Sequence, residues 1–342
     1  MRPTRTRGRR PGRTPAALTG LALTAALSLA ACGGDDAGSG DDGAGGDGGG
    51  QHTIAVNLKT LSSPYWLQVA GGVERAAEET GADVSLQGAT AETEVQEQID
   101  QVRTAITQQV DALVVAPTQA EQLQPILEQA VDQDIPVLLV DTDIEGWDAK
   151  ETFVGTDNYQ AGVTAGEHIL EQQDSGSIAL IRGVPGNPST DSRVEGVIDT
   201  LEGSGIEVAA DLAANSDRAE GRSVMADILQ SNPDVDMVFA ANDDMALGAL
   251  EAIKSADVAM DDITVIGVDG TSDAVDSMLA GELDASIAQN SFDMGRTAVE
   301  QAVQLLDGED IEDRVDTGVT VVTPDNAEEY GQQLEEQEAD SP

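Results

Sequence analysis

A single cysteine, Cys32, in 342 residues excludes a disulfide framework and any site built from several thiolates. Histidine is nearly as scarce. His52 sits beside a Gly/Asp-rich stretch and His168 falls in a helical pattern, where a surface or packing role suits it better than that of a base, so no His-based catalytic constellation can be assembled. Neither a GxGxxG after a strand nor a GxxxxGK[ST] loop occurs, which removes the usual nucleotide fingerprints. Aromatic residues make up only 2% of the chain, so the adjacent pair Tyr65-Trp66 stands out. Basic residues number 17 against 64 acidic ones, a net charge of −47. Nucleic acid and anionic membrane surfaces would repel such a chain. With 64 carboxylates, no one pair of acids marks a catalytic site. An acid excess of this size points to solubility in high salt.

What is present begins with a leader. The first 31 residues carry six Arg and no acid, then an apolar Ala-rich run from Ala16 to Ala31 that is too short to span a membrane comfortably. The run ends Leu29-Ala30-Ala31-Cys32, which resembles the bacterial lipobox and implies a lipidated Cys32 as the first residue of the mature protein. From Gly33 to Gly50 every residue is Gly, Asp, Ala or Ser, a composition that cannot bury apolar surface and reads as a tether. Removing the leader leaves 11 basic residues against 64 acidic, a net charge near −53.

From Thr53 onward, apolar strand-like runs alternate with amphipathic helical patterns over most of the chain. Runs such as Thr53 to Leu58, Ala112 to Ala116, Pro136 to Val140, Met237 to Ala241 and Ile263 to Val268 read as buried strands. Patterns such as Tyr65 to Thr80, Asn158 to Gln172 and Phe292 to Leu306 read as helices between them. That alternation implies an α/β protein with parallel sheets, and the length favours two Rossmann-like layers over one core.

In such sheets, ligands bind beyond the carboxyl ends of the strands, beside helix N-termini. Three strand runs deliver a polar residue there: Asp141, Asn242 and Asp269. For Asn242 and Asp269 a helix-capping role carries equal weight, and Asp243 reads only as a cap. The run Asp141-Thr142-Asp143-Ile144-Glu145-Gly146 starts like a calcium loop, but Thr152 stands where a bidentate Glu is required and a strand precedes it, so no metal site is assigned.

The segments IPVLLVD (Ile135 to Asp141), FVGTDNYQAG (Phe153 to Gly162), STDSRVEG (Ser189 to Gly196), VFAANDDMALGAL (Val238 to Leu250), VIGVDGT (Val265 to Thr271), ASIAQN (Ala285 to Asn290) and VVTPDN (Val321 to Asn326) occur in this order. Together they resemble the type I periplasmic sugar-binding proteins, the ribose-binding branch above all. The resemblance implies two similar lobes joined by a three-segment hinge and closing on one sugar or polyol, with no enzyme activity and no cofactor. It also implies a monomer that hands its ligand to the permease of an ABC importer, here held at the membrane through Cys32. The organisation expected is a leader at 1–31, a lipidated Cys and linker at 32–51, a first lobe at 52–155 plus 290–316, a second at 156–289 plus 317–329, and an acidic tail at 330–342.

Carried over by position, the ligand-binding residues are Asp141, Arg193, Asn242, Asp269 and Gln289, with Tyr65 and Trp66 where the family stacks aromatics on the sugar ring. Lys59 stands where the ribose branch has a small polar residue and is similar instead to autoinducer- and rhamnose-binding relatives. Ala116 replaces a family Asn, and the second lobe's aromatic is replaced near Ser216. A carboxylate, a guanidinium and amides around a polyhydroxy ligand would satisfy hydroxyls that both donate and accept. Two other classes stay open: a ligand sensor for a signalling receptor, including one for a furanosyl autoinducer, and an extracellular hydrolase on the same scaffold.

Overall fold

The computed structural model describes residues 51–256 and 258–339. The leader, Cys32 and the linker up to Gly50 lie outside the described residues, as do the last three positions.

The first sheet is built from β1 (Thr53–Thr60), β2 (Asp83–Ala89), β3 (Ala112–Val115), β4 (Val137–Val140) and β5 (Thr152–Gly155). They alternate with α1 (Pro64–Thr80), α2 (Val95–Gln108) and α3 (Ala120–Val131). After α4 (Asn158–Gln172), a second sheet forms from β6 (Ser175–Arg182), β7 (Gly205–Ala213), β8 (Met237–Ala240), β9 (Thr264–Asp269) and β10 (Ala285–Gln289). Its helices are α5 (Pro188–Leu201), α6 (Arg218–Ser231), α7 (Asp243–Ser255) and α8 (Ser272–Leu279). The chain then runs through α9 (Ser291–Leu306) and β11 (Arg314–Asp316) to β12 (Val319–Val322) and α10 (Ala327–Ala339).

Strand order is β11-β5-β4-β3-β1-β2 in one sheet and β12-β10-β9-β8-β6-β7 in the other. Every pairing in the first is parallel, and in the second only β10 with β12 is antiparallel. The chain therefore crosses between lobes three times. The crossing segments touch: Asn290 Nδ2 donates to the Thr317 carbonyl at 2.5 Å, and the Thr156 and Thr317 hydroxyls lie 3.4 Å apart.

The central strands are apolar on both faces because helices cover both. In β4, Leu138 and Val140 join the cluster under α1 and α9, while Val137 and Leu139 join the one under α2 and α3. The period-two alternation of a strand thus serves two cores with one apolar run. Shortening Leu138 to Ala would cost ~2–5 kcal/mol in transfer and cavity terms.

At the C-terminus the expected acidic tail is instead helical. Ala327, Tyr330 and Leu334 fall at i, i+3 and i+7 and lay one stripe of α10 against the second lobe, with Ala327 and Leu334 buried, so this lobe continues to 339. Glu328, Glu329, Glu335 and Glu336 are exposed on its other faces.

Candidate functional site

The cleft between the lobes is lined by Lys59, Ser63, Tyr65, Trp66, Glu92, Asp141, Ser189, Thr190, Arg193, Ser216, Asn242 and Asp269. Seven of the eight sequence candidates are in that set. Gln289 is the exception: it stands behind the wall, its Nε2 donating to Asp269 Oδ1 at 2.7 Å.

From the first lobe, Lys59 sits near the end of β1, and Tyr65 and Trp66 occupy the first turn of α1 behind Pro64, whose fixed φ suits a helix start. Asp141 follows β4 at φ 63°. Its carboxylate accepts from the Tyr65 hydroxyl at 2.8 Å and the Thr142 hydroxyl at 2.7 Å, and pairs with Lys59 Nζ at 2.8 Å. Burial pushes the Asp141 carboxyl up, but Lys59, Arg193 and the Thr142 bond together hold it below its ordinary value. Burial, with Asp141 and Asp269 nearby, pushes the Tyr65 phenol well up, so it stays a donor. The Trp66 ring is fixed on several sides. Tyr65 meets it edge-on with centroids 5.0 Å apart, Lys59 Nζ lies 5.4 Å from its centroid, and its indole N–H donates to Glu92 at 2.8 Å.

From the second lobe, α5 begins at the cleft. Asn187 caps it, accepting from the amides of Ser189 and Thr190, and Arg193 lies one turn further on the same side. The Arg193 guanidinium donates to Asn158 Oδ1 at 2.8 Å, to the Ala241 carbonyl at 2.8 Å and to Asp269 Oδ1 at 3.2 Å. Helix α4 can pack this closely because Gly162 has no side chain, and a Cβ there would strike the Arg193 carbonyl. Asp269 ends β9 at φ 124°. Burial pushes its carboxyl well up against Arg193, which pulls it down; Asp243 adds to the rise.

Asn242 caps its helix and also lines the cleft. Its Oδ1 caps α7 by accepting the Met245 amide at 2.9 Å, which leaves the amide nitrogen facing the cleft, 3.4 Å from the Ser216 carbonyl. Asp243 is not the cap. It is fully buried and accepts from Thr271 and Ser286.

The lobes meet around this site. Lys59 Nζ reaches Ser189 Oγ at 3.1 Å, the Thr142 hydroxyl reaches the same atom at 3.2 Å, and Asn187 Nδ2 donates to the Thr118 carbonyl at 3.0 Å. The cavity they enclose measures about 20 Å³. Small-molecule pockets run to ~300–1,000 Å³, so the lobes must part or the side chains turn before a sugar-sized ligand fits. Two buried polar atoms at or beside the site lack a protein partner, Ser216 Oγ and Gln289 Oε1. With the charged groups they make a wall of alternating donors and acceptors, suited to a ligand rich in hydroxyls.

Sequence reasoning missed Ser63, Glu92 and Thr190 as lining residues, and marked Ser189 only as the start of a motif. For Ser189, Thr190 and Arg193 a signal existed in Asn187-Pro188, a cap followed by proline that marks a helix N-terminus. For Glu92 there was none, since it lies in a loop among many acids.

Residues 54–310 match the family model described as "periplasmic binding protein domain". The chain is 33% identical over 274 residues to a ribose import binding protein of Bacillus subtilis, covering 80% of this chain and 88% of that one. It is similar to the solute-binding protein of an ABC transporter from Bacillus halodurans with bound myo-inositol (TM-score 0.77, 32% identity, 83% of this chain and 98% of that one). It is also similar to one from Agrobacterium vitis with bound D-fucose (TM-score 0.77, 32% identity, 80% and 96%).

Proposed function

Since this chain belongs to the periplasmic binding protein family, whose members are extracytoplasmic solute-binding proteins and not enzymes, we propose that it binds a monosaccharide or cyclic polyol between its lobes and delivers it to the permease of an ABC importer. One observation carries the reading: Asp141 with Lys59 from one lobe and Asp269 with Arg193 from the other converge on one cleft, each carboxylate held by a base. Ring hydroxyls would replace the cross-lobe contacts to Ser189 and draw on Asn242 and Ser216, with Tyr65 and Trp66 offering apolar surface to the C–H face of a ring. Ligand contacts made only when the lobes meet would shift the protein toward the closed form.

A thermal-shift screen with D-ribose, D-allose, D-fucose and myo-inositol tests this, because a ligand bound only by the folded state raises stability by mass action, about 2.7 kcal/mol at 100 times Kd. No shift with any of them, nor with a wider set of pentoses, hexoses and polyols, would overturn it.

The mature protein is a monomer tethered to the membrane by lipidated Cys32 in this reading, supported by the Leu29-Ala30-Ala31-Cys32 sequence and the Gly/Asp-rich linker that follows. Cys32→Ala should release it from the membrane fraction; unchanged partitioning would remove the anchor.

A further inference from the structure

One fully buried carboxylate beside the cleft does not line it. Asp243, the first residue of α7, turns away from the ligand side toward the β9–α8 connection. One of its oxygens accepts from the Thr271 amide at 2.8 Å and the Thr271 hydroxyl at 3.1 Å; the other accepts from the Ser286 hydroxyl at 2.7 Å. Ser286 Oγ in turn accepts from the Gly270 amide at 3.0 Å. Two consecutive amides of the turn are thus fixed by Asp243, one directly and one through a single hydroxyl.

That turn needs fixing. Asp269 has φ 124° and Gly270 φ 72°, and a side-chain-bearing residue such as Asp269 adopts positive φ only when its surroundings hold it there. Space for the holding group is made elsewhere in the strand: Gly267 lacks the Cβ that would collide with Asp243 Oδ1. Asp243 also follows Asn242 directly, so the anchor that sets the turn also seats the start of α7 from which Asn242 faces the cleft.

We propose that Asp243 is a positioning residue for the binding site, clamping the Asp269-Gly270-Thr271 turn so that Asp269 is presented to Arg193 and the ligand. The role rests on the sugar-binding reading for its consequence but not for its geometry. The titratable groups facing Asp243 are Asp244 on its own helix, Asp269 on β9 and Tyr330 on α10.

The test has a ligand-free arm and a binding arm. In hydrogen exchange on the unliganded full chain, Asp243→Ala should speed exchange at Gly270 and Thr271 at least 10-fold while Ile54–Leu58 and Leu113–Val115 in the other lobe keep wild-type protection. Ser286→Ala should do the same at Gly270 alone, and it carries this arm if Asp243→Ala does not fold. Unchanged exchange at Gly270 in either folded variant overturns the proposal, whatever the protein binds. In calorimetry with D-ribose, D-allose and myo-inositol at pH 6 and 8, Asp243→Ala should weaken whichever probe binds wild type by 10-fold or more. Asp243→Asn, which keeps an acceptor for Thr271, should recover most of that affinity yet flatten the change between the two pH values. Equal losses for Ala and Asn with an unaltered pH profile would reduce Asp243 to packing and overturn the role. Failure on wild type of every probe and of the wider set of pentoses, hexoses and polyols would instead remove the sugar reading and leave the exchange result to decide.

Discussion

Asp141 and Asp269 occupy matching places in the two lobes. One follows β4 and the other ends β9, the third strand in from the β11 or β12 edge of each sheet; both have positive φ, and each is ion-paired, Asp141 to Lys59 at 2.8 Å and Asp269 to Arg193 at 3.2 Å. The bases come from different elements, β1 for one and α5 for the other, so the lobes repeat the carboxylate while varying its partner.

Lys59→Met should therefore be costly. Asp141 would keep Tyr65 and Thr142 as donors but lose its buried cation, and breaking a buried pair from one side typically costs ~3–5 kcal/mol. Denaturant unfolding of Lys59→Met, Asp141→Leu and the double variant checks it: the double should lose less than the sum of the singles.

Asn242 allows capping and binding to be separated. Asn242→Asp keeps an oxygen for the Met245 amide but removes the N–H groups that face the cleft; Asn242→Ala removes both. Loss of the cap costs ~0.5–2 kcal/mol, which only the Ala variant should show in thermal unfolding. Both variants should bind more weakly, with ~1–3 kcal/mol per unsatisfied group, or about 5- to 150-fold in affinity by calorimetry.

Stability should fall as pH rises through the weakly acidic range. Burial, partly offset by the bonds from Thr271 and Ser286, pushes the Asp243 carboxyl from its ordinary 3.8 up to about 7. Between those values the folded protein holds a proton that the unfolded chain has released, so unfolding loses a proton and becomes easier with increasing pH. The slope from this one group approaches 1.4 kcal/mol per pH unit between about pH 4 and 7. Asp243→Asn should remove that contribution, measured as the difference in unfolding free energy between pH 5 and 7. The depressed Asp141 carboxyl acts in a lower window and with the opposite sign, its stabilisation being lost as pH falls below about 4.

Salt should stabilise the protein. With 64 acidic against 17 basic residues, exposed carboxylates repel one another, and molar KCl shortens that repulsion to ~3 Å. The unfolding temperature should rise from low salt to molar KCl; no rise would end the idea of adaptation to a saline medium.

Much of this is legible in the sequence. Long apolar runs and helical periods placed β1, β4, β8, β9 and α1 within a residue or two, since burial on both sheet faces forces strands to be apolar throughout. What escaped notice was short or disguised. β11 has three residues with one apolar side chain, Val315, and exists through its pairing with β5. α8 spans eight residues, barely two turns of period, and the acids of α10 hid its Ala327-Tyr330-Leu334 stripe. In the cleft, Asp141, Asn242 and Asp269 could be read from their places at strand ends. Asp243 could not, because its role depends on Thr271 and Ser286, which only folding brings to it.

The three crossings have a bearing on how the molecule can be divided. Because α9 and β11 return to the first sheet after β10, no single cut separates one lobe from the other. A chain ending near Gly155 would lack α9 over β3 and β4, and would lay bare the flank of β5 that β11 normally pairs, an open edge that invites aggregation. The two halves are thus interdependent as pieces of chain while remaining distinct as bodies. Fragment expression and domain exchange would succeed only if both segments of a lobe were moved together.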